Sequence, residues 1–175
     1  TDPSSIASKI IPGDKVSLKQ ATPEQLSAIR RDYAVDAWLS NWDTVGLELD
    51  NILIADGVPT RIDAGGSLRY RAQGAPKGHL FTSDVTELDS LKNPSINPQS
   101  AHIFGGVTDE ELLDGASRVA AINPLQIDQV VKDLGIDQDL ADTLIARRAD
   151  LIARTGVKDP WMAATSVDLD DDVMS

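Results

Sequence analysis

Apolar residues recur at three- and four-residue steps along four stretches of this chain, and those steps predict helices. Leu26, Ile29, Tyr33, Ala37 and Trp38 share one face of a stretch running to about Ser40. It opens at Thr22-Pro23-Glu24-Gln25, with Thr as N-cap, Pro at the first helical position and Gln25 at the capping-box position. Thr108-Asp109-Glu110-Glu111 is a second capping box and predicts a helix to about Ile122. Pro124 opens a third helix, with Ile127, Val130, Val131 and Leu134 apolar and Gly135 stopping it. Leu140, Leu144, Ile145, Leu151 and Ile152 make a fourth, ended by Gly156. Two short strands are expected at 51–54 and 60–62, around the turn Asp56-Gly57-Val58-Pro59. Ile6 to Ile11 predicts another strand, stopped by Pro12-Gly13-Asp14. From Ser67 to Gly106 there is little periodicity, and a long irregular segment inside a compact domain marks either function or an unrecognised element. The pattern predicts a mainly helical α+β fold with a small β-hairpin.

Composition narrows the class. At 175 residues, 41% apolar and 25% charged, the chain suits one globular domain rather than a disordered one. No run approaches the roughly 20 apolar residues a membrane helix needs. The start, Thr1-Asp2-Pro3-Ser4-Ser5, has neither the basic nor the apolar region of a signal peptide. With no cysteine there is no disulfide framework, thiol nucleophile or Cys-type zinc site. Lys and Arg number 16 against 28 Asp and Glu, and a formal charge of −12 argues against non-specific nucleic-acid binding.

That charge is unevenly spread. Residues 1–80 hold nine basic and ten acidic residues, a net of −1, whereas residues 81–175 hold seven and eighteen, a net of −11. The acidity ends in Asp168-Leu169-Asp170-Asp171-Asp172, read as part of a solvated tail over 161–175 rather than a metal site. Within the neutral half, residues 61–78 carry Arg61, Arg69, Arg71 and Lys77 against Asp63 alone, which suggests an anion site. Arg69, Arg71 and Lys77 suit a phosphate-bearing substrate or an acidic partner, or else form a solvated basic face. His79 and His102 read as surface or loop-bracing residues. Trp38 and Trp42 are expected to pack in the core against the hairpin.

The densest cluster of special residues runs from Asn41-Trp42-Asp43 through Asp50-Asn51-Ile52-Leu53-Ile54 to Arg61-Ile62-Asp63-Ala64-Gly65-Gly66. A hairpin flanked by Asn51 and Asp63 brings a carboxamide oxygen and a carboxylate together, and such hard oxygens suit Mg²⁺ shared with substrate phosphates. A carboxylate at the loop entrance, Asp43, can orient a hydroxyl nucleophile. A loop Asp, a following Asn and an Asp before Gly are the parts of kinase-type phosphoryl transfer. The plainer alternative makes Asp43, Asp50 and Asn51 loop caps and Asp63 a turn residue.

These stretches, with Ser67-Leu68-Arg69-Tyr70-Arg71-Ala72-Gln73-Gly74 and Phe104-Gly105-Gly106-Val107-Thr108, resemble the C-terminal lobe of atypical, phosphatidylinositol-kinase-like bacterial and phage proteins. The resemblance covers roughly residues 35–110 and, more loosely, the helices after them. It implies a kinase-like C-lobe with Asp43 as catalytic-loop base and Asn51 and Asp63 as Mg²⁺ ligands. It also puts Ile62-Asp63-Ala64-Gly65 in the place of Asp-Phe-Gly. Two departures stand beside it. The familiar kinase loop puts its Asp five residues before the Asn, where this chain has Gly46, so Asp50 rivals Asp43. There is also no Gly-rich loop near the start and no Val-Ala-Ile-Lys-like strand.

The expectation is therefore a kinase C-lobe over residues 22–160, with residues 1–21 as the remnant of an interlobe strand. Lys9, on that strand, joins Asn51 and Asp63 as an ATP-binding residue. The N-lobe would come from upstream or from a partner chain. Function reads as phosphoryl transfer from Mg²⁺-ATP to a hydroxyl-bearing protein, lipid head group or small molecule. The isolated chain is expected to be inactive, and the setting a cytoplasmic, effector or virion protein. The alternative is a non-catalytic kinase-like binding or structural module within a larger assembly. A helical adaptor, meeting a basic partner through the acidic half, is a third.

Overall fold

Capping residues set the helix starts. In the computed structural model, which describes residues 11–12 and 15–162, Thr22 Oγ1 accepts from the Gln25 N–H. The Gln25 side chain accepts in turn from the Thr22 N–H, opening α1 (Pro23–Arg30). The expected single helix to Ser40 is two, because the chain breaks at Arg31-Asp32 before α2 (Tyr33–Trp38). The freed Arg31 carbonyl accepts from Arg118, and the Asp32 carboxylate takes Arg118 on one oxygen and Arg61 on the other, each at 2.6 Å. Long-range cation contacts outweigh one more turn of helix there.

β1 (Lys15–Val16), β2 (Ile52–Ala55) and β3 (Val58–Arg61) form an antiparallel sheet in the order β1-β2-β3. The hairpin turn is shorter than expected. Asp56 and Gly57 alone make it, at φ 49° and 82°, the left-handed pair that a two-residue hairpin needs. Pro59 thus lies in a strand, opposite Ile54, and the outer edge position of β3 tolerates its missing N–H. The partnering of β1 with β2 carried no sequence signal, since a two-residue strand has no alternation to read.

The supposedly irregular 67–106 segment contains α3 (Glu87–Ser90) and α4 (Pro98–Phe104), both too short to display a helical period. α4 starts like the longer helices, with the Asn97 side chain accepting from the Ser100 N–H and Pro98 next. Then follow α5 (Asp109–Ala120), α6 (Pro124–Asp133) and α7 (Gln138–Thr155), the last closed by left-handed Gly156. The fold is α+β and mainly helical, and among the described residues no helix is long and apolar enough to cross a membrane. The strand expected at 6–11, Lys9 on it and the acidic run at 168–172 lie outside the described residues, apart from Ile11.

α2 is the centre of the core. Tyr33, Ala34, Ala37 and Trp38 are buried there with Ile29, Phe104, Ala116, Val119, Leu144 and Leu151. The Tyr33 ring lies 5.1 Å from Phe104, and its hydroxyl donates to Leu88 O at 2.6 Å. Trp38 is buried in the same cluster as Ile52 of the hairpin, and its indole N–H donates to Leu144 O on α7 at 3.0 Å.

The α2–α5 contact is close enough to require Gly115. A Cβ there would sit 2.6 Å from Arg31 O and 3.1 Å from Ala34 Cβ. In an exposed helix, Gly to Ala stabilises by up to about 1 kcal/mol. Here Gly115→Ala is expected to cost about 1–3 kcal/mol instead, read as a lower urea midpoint at unchanged slope; a higher midpoint would contradict the packing.

Candidate functional site

Hydrogen bonds join three of the segments singled out in the sequence, those of Asp43, Asn51 and Asp63, and buried charge positions them. Asp36, on α2, is buried and receives the Arg61 guanidinium at the end of β3, Nε lying 2.9 and 3.0 Å from its two oxygens. Burial pushes the Asp36 carboxyl upward, against the pull of Arg61. Arg61 is thereby a structural residue of the hairpin. The next residue, Ile62, donates its N–H to Asn51 O at 2.9 Å. Asn51 and Asp63 therefore flank the open end of the same hairpin.

The Asn41–Asp43 loop is fixed from several sides. Asn41 gives its amide to Asp36 Oδ1 at 3.4 Å, and its own buried Oδ1 has no hydrogen-bond partner among the described residues. The Thr44 hydroxyl donates to Asn41 O at 2.7 Å, and Asn97 Nδ2 donates to Trp42 O at 2.8 Å. The Trp42 N–H donates to Gly66 O at 3.3 Å, and Asn51 Nδ2 to Asp43 O at 2.6 Å. Gly66 packs directly on this loop, since a Cβ would meet Asp43 Cβ at 2.8 Å.

Asp43, Asn51 and Asp63 thus belong to three segments joined by backbone bonds. With its nitrogen committed to Asp43 O, the half-buried Asn51 side chain keeps Oδ1 as an oxygen donor. Exposed Asp63 gives Oδ1 to the Gly65 N–H at 2.8 Å and keeps Oδ2. Asp50 is exposed and lies over Gly46, whose φ of 75° and lack of Cβ let the chain cross there. A Cβ on Gly46 would come within 2.3 Å of Asp50 Oδ1 and 3.0 Å of Asn51 Oδ1. Among the described residues no three His, Asp or Glu side chains converge as a metal-binding group. A carboxamide and a carboxylate oxygen are ligand types that Mg²⁺ takes beside water and phosphate.

The cationic segment divides in space. Arg69 makes a bidentate pair with Asp137 at 2.7 Å and reaches Asp139 at 3.2 Å, and the Asp137 bond raises its pKa further. Lys77 is 2% exposed and faces inward. Arg71 is exposed and stacks 5.6 Å above the Trp42 ring. It borders a cavity of about 210 Å³ with Trp42, Asp43, Leu47, Gly66, Ala72 and Gln73. Seven of the nine arginines form ion pairs among the described residues, whereas Arg71 forms none. His79 and His102 are exposed.

Beneath the loop lies a network that left one faint trace in the sequence. Glu87 and Arg147, both fully buried, pair at 2.7 Å. The other Glu87 oxygen accepts from the Ser40 hydroxyl at 2.5 Å and the Trp42 indole N–H at 2.9 Å. Arg147 donates its remaining protons to Ala37, Trp38, Thr82 and Asp84 carbonyls. Partners 60 residues apart share no motif or spacing; a charged residue on the apolar side of α7 is the one trace in the sequence. No protein-family profile, curated protein or solved structure matches the chain.

Removing one member of a buried pair strands the other's charge. Arg147→Met is expected to cost about 3–5 kcal/mol in chemical unfolding, and Glu87→Gln less, because a carboxamide still accepts from Trp42. Equal, small losses for both would contradict the network.

Proposed function

We propose that this chain is the C-terminal lobe of an atypical kinase-like phosphotransferase, moving a phosphoryl group from Mg²⁺-ATP to a hydroxyl acceptor. The observation that supports the reading is the hydrogen bonding that links the segments of Asp43, Asn51 and Asp63: Asn51 Nδ2 to Asp43 O, the Ile62 N–H to Asn51 O and the Trp42 N–H to Gly66 O. Asn51 Oδ1 and the Asp63 carboxylate are the oxygens that would hold Mg²⁺, which neutralises charge on the transferring phosphate. Asp43 lines the cavity and Asp50 does not, so Asp43 is the residue that orients the acceptor hydroxyl and takes its proton. The acceptor oxygen bonds to phosphorus as the bond to ADP breaks. Arg71, unpaired and stacked on Trp42 at the rim of that cavity, receives an anionic part of the acceptor. Most of the rate enhancement in such a site comes from positioning and charge. An N-lobe, upstream or on another chain, completes the nucleotide site.

The second reading is a non-catalytic module of kinase-like shape. The bond from the Gly65 N–H to Asp63 Oδ1 favours it, because a carboxylate that caps a turn has a structural purpose.

Titration calorimetry with Mg²⁺-ATP, on this chain and on a form extended by an N-lobe, separates the two. In the extended protein Asp63→Ala is expected to weaken binding at least about 10-fold, by analogy with loss of a charge-assisted contact. Asp43→Asn is expected to preserve binding and to lower phosphoryl transfer about 100-fold or more. An extended protein that binds no nucleotide, or an Asp63→Ala protein that binds and transfers normally, contradicts the phosphotransferase.

A further inference from the structure

Three non-glycine residues around the site lie in the left-handed region: Ser40 at φ 53°, Leu49 at 61° and Leu68 at 56°. Ordinary side chains hold that conformation only where the surroundings over-determine it, and such residues gather at functional sites. For Ser40 and Leu68 the surroundings share one group. Lys77 Nζ donates to the carbonyls of Ser40, Leu68 (2.7 Å) and Gly66 (2.8 Å). An ammonium has three protons, and all three are used. No carboxylate pairs with Lys77 among the described residues; the charges acting on it are Glu87 from α3, Arg147 from α7 and Arg71 from its own loop.

The three carbonyls belong to both sides of the site. Ser40 stands just ahead of Asn41-Trp42-Asp43, while Gly66 and Leu68 follow Asp63. Two direct bonds also join these loops, from the Trp42 N–H to Gly66 O and from the Leu68 N–H to Leu39 O at 2.7 Å. We propose that Lys77 is a positioning residue, whose ammonium fixes the left-handed turns at Ser40 and Leu68 and so sets the Asp43 loop against the Asp63–Gly66 loop. Burial pushes its pKa down to about 8, with Arg147 and Arg71 acting in the same direction and Glu87 against. A neutral amine has one donor fewer, so the clamp loosens as pH rises through that value. The consequence for phosphoryl transfer rests on the phosphotransferase reading; the ordering of the loops does not.

Residue-resolved amide hydrogen exchange tests the ordering. In Lys77→Met the position-42 and position-68 amides are expected to exchange at least about 10-fold faster, while α5 and α7 amides keep their protection. Adding Leu68→Gly, which accepts positive φ without strain, is expected to restore most of the protection at position 42. The unsubstituted protein supplies a measurement free of folding defects. After correction for intrinsic rates, the same two amides are expected to lose protection between pH 7 and 9.5. Unchanged exchange in Lys77→Met, a rise shared equally with α5 and α7, no recovery on adding Leu68→Gly, or a flat pH series would each overturn the assignment. Calorimetry keeps the two ideas apart. If Mg²⁺-ATP binds, Lys77→Met weakens it about 10-fold or more and the double variant recovers. If the extended protein binds no Mg²⁺-ATP, the phosphotransferase reading fails and the exchange result stands.

Discussion

A guanidinium and a carboxylate without access to water, Arg147 on α7 and Glu87 on α3, hold the candidate site to the helical body. Such a pair contributes little net stability, since desolvation offsets the attraction. Its use here is directional. At the end of α2 the Arg147 donors take the Trp38 carbonyl and share the Ala37 carbonyl with the Ser40 N–H. Its bonds to Thr82 and Asp84 tie down the segment leading into α3. Glu87 then offers its second oxygen to Ser40 and Trp42, at the start of the Asp43 loop. One ion pair thus ends α2, anchors α3 and aims the loop.

A second buried carboxylate acts likewise from the other side. Asp36 draws Arg61 inward, fixing where β3 ends and where Asp63 begins. Lys77 closes the gap between the two halves through backbone carbonyls. The locally cationic segment at 61–78 is therefore mostly internal wiring. Arg61, Arg69 and Lys77 have partners within the protein, and Arg71 alone of the four faces the cavity with no ion pair among the described residues. Charge counted along the chain exaggerated the anion site because it cannot distinguish a cation with an internal partner from one without.

The legible parts of the fold were those with local causes. Thr22, Thr108, Pro124 and Gly156 marked helix ends because capping and left-handed closure involve neighbours within a turn. Asp56-Gly57 marked the hairpin for the same reason. The illegible parts had distant causes. The break at Arg31-Asp32 follows from Arg61 and Arg118, and the two-residue β1 exists only through β2. α3 and α4 were too short for a period to emerge. At the site, the residue types and order of Asp43, Asn51 and Asp63 were legible; Ser40, Glu87, Arg147 and the inward turn of Lys77 depend on contacts no spacing rule encodes.

On the proposed reading, Asn51 and Asp63 offer the oxygens left outside their own hydrogen bonds to one cation. The most direct measurement follows the Asn51 side-chain NH₂ and the Gly65 amide by ¹H–¹⁵N NMR while Mg²⁺ and a non-hydrolysable ATP analogue are added to the form extended by an N-lobe. Both groups are bonded within the site, the first to Asp43 O and the second to Asp63 Oδ1. Both resonances are expected to move together with a single saturation constant, while α5 amides stay in place. Movement at Gly65 without movement at Asn51, or different constants for the two, would contradict the reading.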